Sequence, residues 1–293
     1  MKTRGYDSII LAIVIWSTQT AVSKVIVESL GFIATTFYVS IGTALAALTV
    51  ALILKKGSDM KAATRSWRAL ILISIPLTIA NLLLFYALTM ITASEVIVLL
   101  YIYPIIIMLL DLLIISHRIS YLELIGMLIG FAGVYLLISY NNSFNINSST
   151  FLSAVLVIVA AISWAFYLIL QKKYVFEEFS SNALYFSISS FILLPIFLIW
   201  QPRVPTIYNL YLIIYMGVVT FAIGNVLYVK GLKKLKMPNS AFILYLTPFI
   251  ALVWNFILLS ETIRIYYLLP LVFIFIGYSI IVFGKKKDNA PKS

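Results

Sequence analysis

The chain has 293 residues, of which 63% are hydrophobic and 11% charged, and its mean hydropathy is +1.08. No soluble domain of this length can hide that much apolar surface, so lipid is its solvent and a large water-exposed domain is excluded. It has no cysteine, which excludes disulfides, thiolate metal sites and thiol catalysis, and the meaning of its net charge of +11 depends on where the charges fall.

Apolar stretches near residues 8–27, 33–54, 69–91, 94–115 and 119–139 each have about the length that crosses hydrocarbon, roughly 20 residues as helix. The first lacks a small-x-small cleavage site and is expected to be a retained span, not a signal peptide. Residues 141–150 form an uncharged Asn/Ser-rich loop with two glycosylation sequons, at Asn141 and Asn147. Five further stretches follow near 151–171, 182–200, 207–231, 238–259 and 265–284. The runs are continuous rather than alternating, so they read as helices and not barrel strands. The expected fold is an all-α integral membrane protein with ten transmembrane helices.

With a cytoplasmic N-terminus, the basic residues collect on one side. Lys2 and Arg4, five residues from Lys55 to Arg68, Arg118, Lys172 and Lys173, three from Lys233 to Lys236, and Lys285 to Lys287 with Lys292 all fall in cytoplasmic segments. The other side receives Arg203 and Arg264, plus Lys24 near the end of the first span. This positive-inside bias predicts a multi-pass cell-membrane protein with both termini cytoplasmic. The basic excess is then a topology signal, helped by anionic head groups, and does not call for nucleic acid.

An ungapped repeat at an offset of 144 relates residues 81–133 to 225–277 with twelve identities, among them Asn81/Asn225, Tyr101/Tyr245, Pro104/Pro248, Ser116/Ser260 and Gly133/Gly277. Five spans separate equivalent elements, and an odd number inverts the second half relative to the first. The expected organisation is two inverted-topology five-helix repeats, 1–140 and 151–284, joined by an outer linker 141–150 and followed by a basic tail 285–293. The first helices correspond as well: Trp16, Gln19 and Ser23 share a helical face, as do Trp164, Tyr167 and Gln171. Such polar and aromatic stripes within spans should face protein or water.

Tyr86-Ala87-Leu88 leads to Tyr101-x-x-Pro104, and Tyr228-x-x-Gly231-Leu232 leads to Tyr245-x-x-Pro248; Leu258-Leu259-Ser260-Glu261 looks like an "LLGE" signature with Ser for Gly. In these features and in its duplicated layout the chain resembles the EamA family of the drug/metabolite transporter superfamily over essentially its full length. The first-half counterpart of Glu261 is His117, a departure from the signature. The resemblance implies a central cavity lined by spans 1, 3, 4, 6, 8 and 9 and supported by spans 5 and 10. It also implies export of amino acids or other metabolites.

The candidate substrate-binding residues are Trp16, Gln19, Asn81, Tyr101, Tyr103, Trp164, Tyr167, Asn225, Tyr228 and Tyr245. Each has a plainer reading as core, interface-belt or polar-packing residue. Pro104 and Pro248 are candidate helix kinks, and Asp111, an ionisable group inside a span, is the candidate for coupling. Lys24, Lys172 and Lys230 read as snorkelling span-end residues, with Lys24 placed to pair with Glu28. Glu261 reads as an anchor for the helix that follows it. Gly126, Gly130 and Gly133 predict close helix packing and are compatible with a homodimer. A lone His117 gives no metal site, and no cofactor is expected.

These features predict a secondary transporter for a small organic solute, working by alternating access, with no Walker A sequence for direct ATP drive. Few charges at mid-depth and many aromatic and amide groups favour hydrophobic or aromatic amino acids. The alternative within transport is a carrier of nucleotide sugars or lipid-linked intermediates, which would have to recruit Lys24, Lys172 and Lys230. An integral-membrane enzyme or a scaffold is the reading from another class; the scattered carboxylates and single histidine lack the cluster that catalysis needs.

Overall fold

The computed structural model describes residues 3–103, 105–107, 109–110, 121–140, 149–174, 176–200, 203–234, 244 and 246–288. Pro104, Asp111, Tyr245, His117, both sequons and the tail beyond 288 lie outside them, as does the side chain of Lys172. The described residues are helical apart from the turns and short links between helices, with no strand. In order the helices are α1 Thr3–Ser17, α2 Gln19–Leu30, α3 Phe32–Ile53, α4 Gly57–Thr64, α5 Trp67–Leu88, α6 Ala93–Leu100, α7 Tyr121–Tyr140, α8 Ser149–Lys173, α9 Glu178–Ile199, α10 Ile207–Ile214, a π-helical segment Tyr215–Ile223, α11 Gly224–Lys234, α12 Leu246–Leu259 and α13 Ile265–Asp288.

Among the described residues six helices are long and apolar enough to cross a membrane, Tyr6–Leu30, Phe32–Ile53, Trp67–Leu88, Phe151–Gln171, Glu178–Ile199 and Ile207–Gly231, and shorter apolar helices lie between and after them. Their outward faces carry large apolar side chains such as Leu52, Ile53, Phe191 and Leu198. Trp67, Trp200, Tyr208 and Tyr211 are exposed near helix ends, where amphipathic rings suit the headgroup level. The chain is a multi-pass membrane protein by this pattern.

Helices early in the chain pack against late ones: α3 on α9, α5 on α8, and α1 on α11. Small residues set the closest approaches. A Cβ on Gly217 would stand 2.7 Å from the Gly42 carbonyl carbon, so α3 and the π segment cross backbone to backbone. A Cβ on Gly133 would meet the Pro270 carbonyl oxygen at 2.7 Å, and one on Gly277 would overlap Gly126 O and Gly130 N. The fifth-span glycines expected at a close interface are thus consumed within the chain, between α7 and α13, and that face is not left for a second copy.

Side chains close the starts of α6, α9 and α10. Thr92 and Glu95 form a capping box at α6, Glu177 accepts from Ser180 N at α9, and Thr206 accepts from Asn209 N at α10. Beyond α12 the chain turns through Ser260 at φ +55°, a left-handed conformation that favours glycine. This is the position where the signature has Gly, and the turn sends Glu261 across to α6 rather than onto its own following helix. Its carboxylate accepts from Ala93 N and Ser94 N at 2.8 and 3.0 Å.

Gly277→Val is expected to lower the thermal unfolding midpoint in detergent, at a cost of about 1–3 kcal/mol for overpacking against rigid backbone. Gly57→Ala, where a Cβ meets nothing within 4 Å, should leave it unchanged or raise it slightly.

Candidate functional site

A cavity of about 30 Å³ lies where the α1–α2 junction, α5, α6 and α8 converge. Trp16, Gln19, Asn81, Tyr101, Tyr103 and Trp164 line it, with Thr20, Ala80, Leu84 and Ala160 between them. That volume is on the scale of a single water, so the helices are drawn in tightly around the site. Six of the ten residues singled out from the sequence share this wall. Tyr228 stands behind it, its ring 4.9 Å from Trp16, and Tyr167 packs 5.2 Å from Trp164 and 6.2 Å from Tyr185.

Two helices that reach the cavity, and a third that bonds to Trp16, are interrupted near it. The first breaks at Thr18, between Trp16 and Gln19, without proline or glycine. There Ser17 and Thr18 donate to the carbonyls of Val14 and Ile15 at 2.7 and 2.8 Å, a local bonding that competes with the helix ladder. Thr18 also meets the Tyr215 hydroxyl at 2.8 Å. The fourth breaks at Tyr101 and Ile102, immediately before Pro104. The eighth widens into the π-helical segment, whose carbonyls are taken by side chains: Trp16 Nε1 donates to Thr220 O at 3.1 Å and Asn182 Nδ2 to Phe221 O at 3.0 Å. Pro76 stands five residues before Asn81 inside α5, which continues through it, and Thr220 stands five before Asn225 within the π segment.

Asn81 donates its amide to Leu77 O at 3.1 Å, which leaves its carbonyl oxygen for the cavity. Ser74 and Thr78 on the same face are polar packing, for both bond back to their own helix and Thr78 donates to Ser189 at 2.8 Å. Asn225 is buried beside Gly224, on which the Trp16 indole rests, since a Cβ there would be 2.7 Å from Nε1. The Asn225 Nδ2 and the Thr220 hydroxyl are buried without a protein partner among the described residues. Buried polar atoms of this kind in native structures usually answer to a ligand, an ion or water. Pro248 is buried within α12, as are Thr247 and Asn255.

The described lysines do not line the cavity. Lys24 does not snorkel; it donates to Leu88 O and Ile91 O at 2.6 and 3.1 Å and pairs with Glu28 at 3.4 Å. Lys230 lies over the Phe179 ring at 5.4 Å. No group of three or more His, Cys, Asp or Glu suited to a metal occurs among the described residues. Thr20, which sequence reasoning passed over, bonds Asn255, the second-half counterpart of Asp111, at 3.3 Å next to the cavity. Its signal was a polar side chain inside an apolar span, the same that identified Asn81.

Trp16→Phe should destabilise the protein by about 1–3 kcal/mol, the cost of leaving the Thr220 carbonyl unpaired. Gly224→Ala should reproduce the loss while keeping the indole, because its methyl displaces Nε1. Thermal midpoints of the two variants, falling together, check this.

A search of solved structures finds a crystal structure that superimposes with a TM-score of 0.72 at 16% identity, covering 99% of this chain and 100% of the other, which establishes a shared fold. An uncharacterized transporter of Clostridium kluyveri is 27% identical over 145 residues, 46% of this chain and 45% of that protein, so the match spans about half of the relative's length. The model of the EamA-like transporter family matches twice, over residues 3–139 and 151–283. Two matches that together take in nearly the whole sequence show that the chain belongs to the EamA-like transporter family, and so to the drug/metabolite transporter superfamily.

Proposed function

We propose that this transporter exports a small amphipathic metabolite, with hydrophobic or aromatic amino acids as the substrate class, by alternating access through the central cavity. Its ten spans form two inverted-topology repeats, 1–140 and 151–284, in the cell membrane with both termini cytoplasmic. One observation carries the reading: Trp16, Gln19, Asn81, Tyr101, Tyr103 and Trp164, drawn from spans 1, 3, 4 and 6, surround one site between the repeats. Aromatic faces suit a flat apolar side chain. The Asn81 carbonyl and the unpartnered Asn225 amide suit a zwitterion's donors and acceptors. Tyr167 and Tyr228 stand around the site as an aromatic shell.

In the contracted site no solute fits, so binding widens it. The helix interruptions at Thr18, Tyr101 and the π segment are where backbone can move without breaking a regular ladder. A nucleotide sugar or lipid-linked intermediate is less well served, because Lys24 and Lys230 are committed elsewhere and phosphate needs paired cations.

Counterflow in proteoliposomes loaded with phenylalanine or tryptophan should accumulate labelled amino acid, and Asn225→Ala should weaken apparent affinity about tenfold, as loss of one buried polar contact does. Exchange of sugar phosphates but not amino acids overturns the substrate class. Asp111 is the proposed coupling residue: Asp111→Asn should abolish flux driven by a pH gradient while exchange persists, and unchanged driven flux removes it from the mechanism.

A further inference from the structure

The start of α6 is fully accounted for, and half of the accounting comes from the other repeat. Thr92 N donates to Glu95 Oε2 at 3.0 Å and Glu95 N to Thr92 Oγ1 at 3.2 Å, both within the loop. Ala93 N and Ser94 N donate to Oε1 and Oε2 of Glu261 at 2.8 and 3.0 Å, and the Ser94 hydroxyl adds a third bond at 2.6 Å. A carboxylate on exposed N–H groups at a helix N-terminus is a favourable electrostatic contact and a charge-assisted one. Tyr267, on the same side as Glu261, meets the Thr92 hydroxyl at 3.4 Å.

The same loop is held at its other end by Lys24 on Leu88 O and Ile91 O, a contact inside the first repeat. Of these two contacts, the Glu261 one joins the two repeats. A directed chain of donors runs from the cavity to Glu261: Thr20 Oγ1 donates to Asn255 Oδ1 at 3.3 Å, Asn255 Nδ2 to Ser94 Oγ at 3.2 Å, and Ser94 Oγ to Glu261. Thr20 is itself on the cavity wall.

We propose that Glu261 is the latch of the outer gate: exposing the central cavity to the outside requires its carboxylate to leave the α6 N-terminus, and the Asn255–Thr20 arm links that release to what the cavity holds. Glu261 acts here as a positioning residue, since it touches no solute. The inference rests on the alternating-access reading, but its test uses no solute, so a wrong substrate class and a wrong latch give different results.

The cysteine-free chain permits a single reporter thiol. Ala80→Cys, on the cavity wall, is labelled with a membrane-impermeant methanethiosulfonate added to intact cells, and Ile263→Cys, exposed in the Glu261 loop, verifies which face the reagent reaches. Glu261→Ala should raise the labelling rate of Ala80→Cys about tenfold, the change expected when a few charge-assisted bonds that favour one state are lost. Ser94→Ala and Thr20→Val should raise it less. Lys24→Gln, which breaks a helix-end contact within one repeat, should leave it unchanged. The latch is overturned if Glu261→Ala and Ser94→Ala both label at the parent rate in monodisperse protein, or if Lys24→Gln accelerates labelling as much as Glu261→Ala. Failure of Ile263→Cys to label overturns the assignment of this gate to the outside.

Discussion

Hydrocarbon supplies no hydrogen bonds, and every irregularity in these helices must answer to that constraint. The chain answers with side chains rather than by avoiding irregularity. Where the ladder opens, a nearby donor takes the carbonyl: Ser17 and Thr18 at the first break, Trp16 and Asn182 at the π segment, Lys24 at the end of α5. Of the residues that close these gaps, Trp16 is on the cavity wall, and Ser17 and Thr18 follow it in the chain. Structural satisfaction and the candidate site therefore meet at Trp16, and motion there has to exchange one set of partners for another.

The polarity of the helix ends sets a second pattern. A lysine sits on carbonyls at the end of α5 and a glutamate on N–H groups at the start of α6, so the hairpin between them is held by opposite charges at its two feet. Both contacts place charge where it is neutralised by backbone dipoles. This explains how two ionised groups lie close to an apolar interior without forming an ion pair with one another.

Much of this was legible in the sequence because a membrane span makes its exceptions visible. An Asn, a Gln or a Trp at a repeated position inside an apolar run stands out, and the residues found in this way on α1, α2, α5, α6 and α8 come to one wall. The break at Thr18 was not legible, since Trp-Ser-Thr carries no proline or glycine and hydroxyls bonding back to carbonyls are common in unbroken helices too. The π segment depends on Asn182 and Trp16 approaching from distant parts of the chain, which no local pattern announces. Glu261 was expected to serve the helix beside it; the left-handed turn at Ser260 redirected it, and only the "LLGE" glycine hinted at such a turn.

The crossing of α3 and the π segment at Gly42 and Gly217 has a mechanical meaning. Two rods that touch through bare backbone share a short pivot with no interlocking side chains to climb over. Rotation about such a point changes the separation of the far ends strongly while the contact itself barely alters. The pivot lies on the helix that carries Thr220 and Asn225, so a small rocking there becomes a lever arm for the groups beside Trp16.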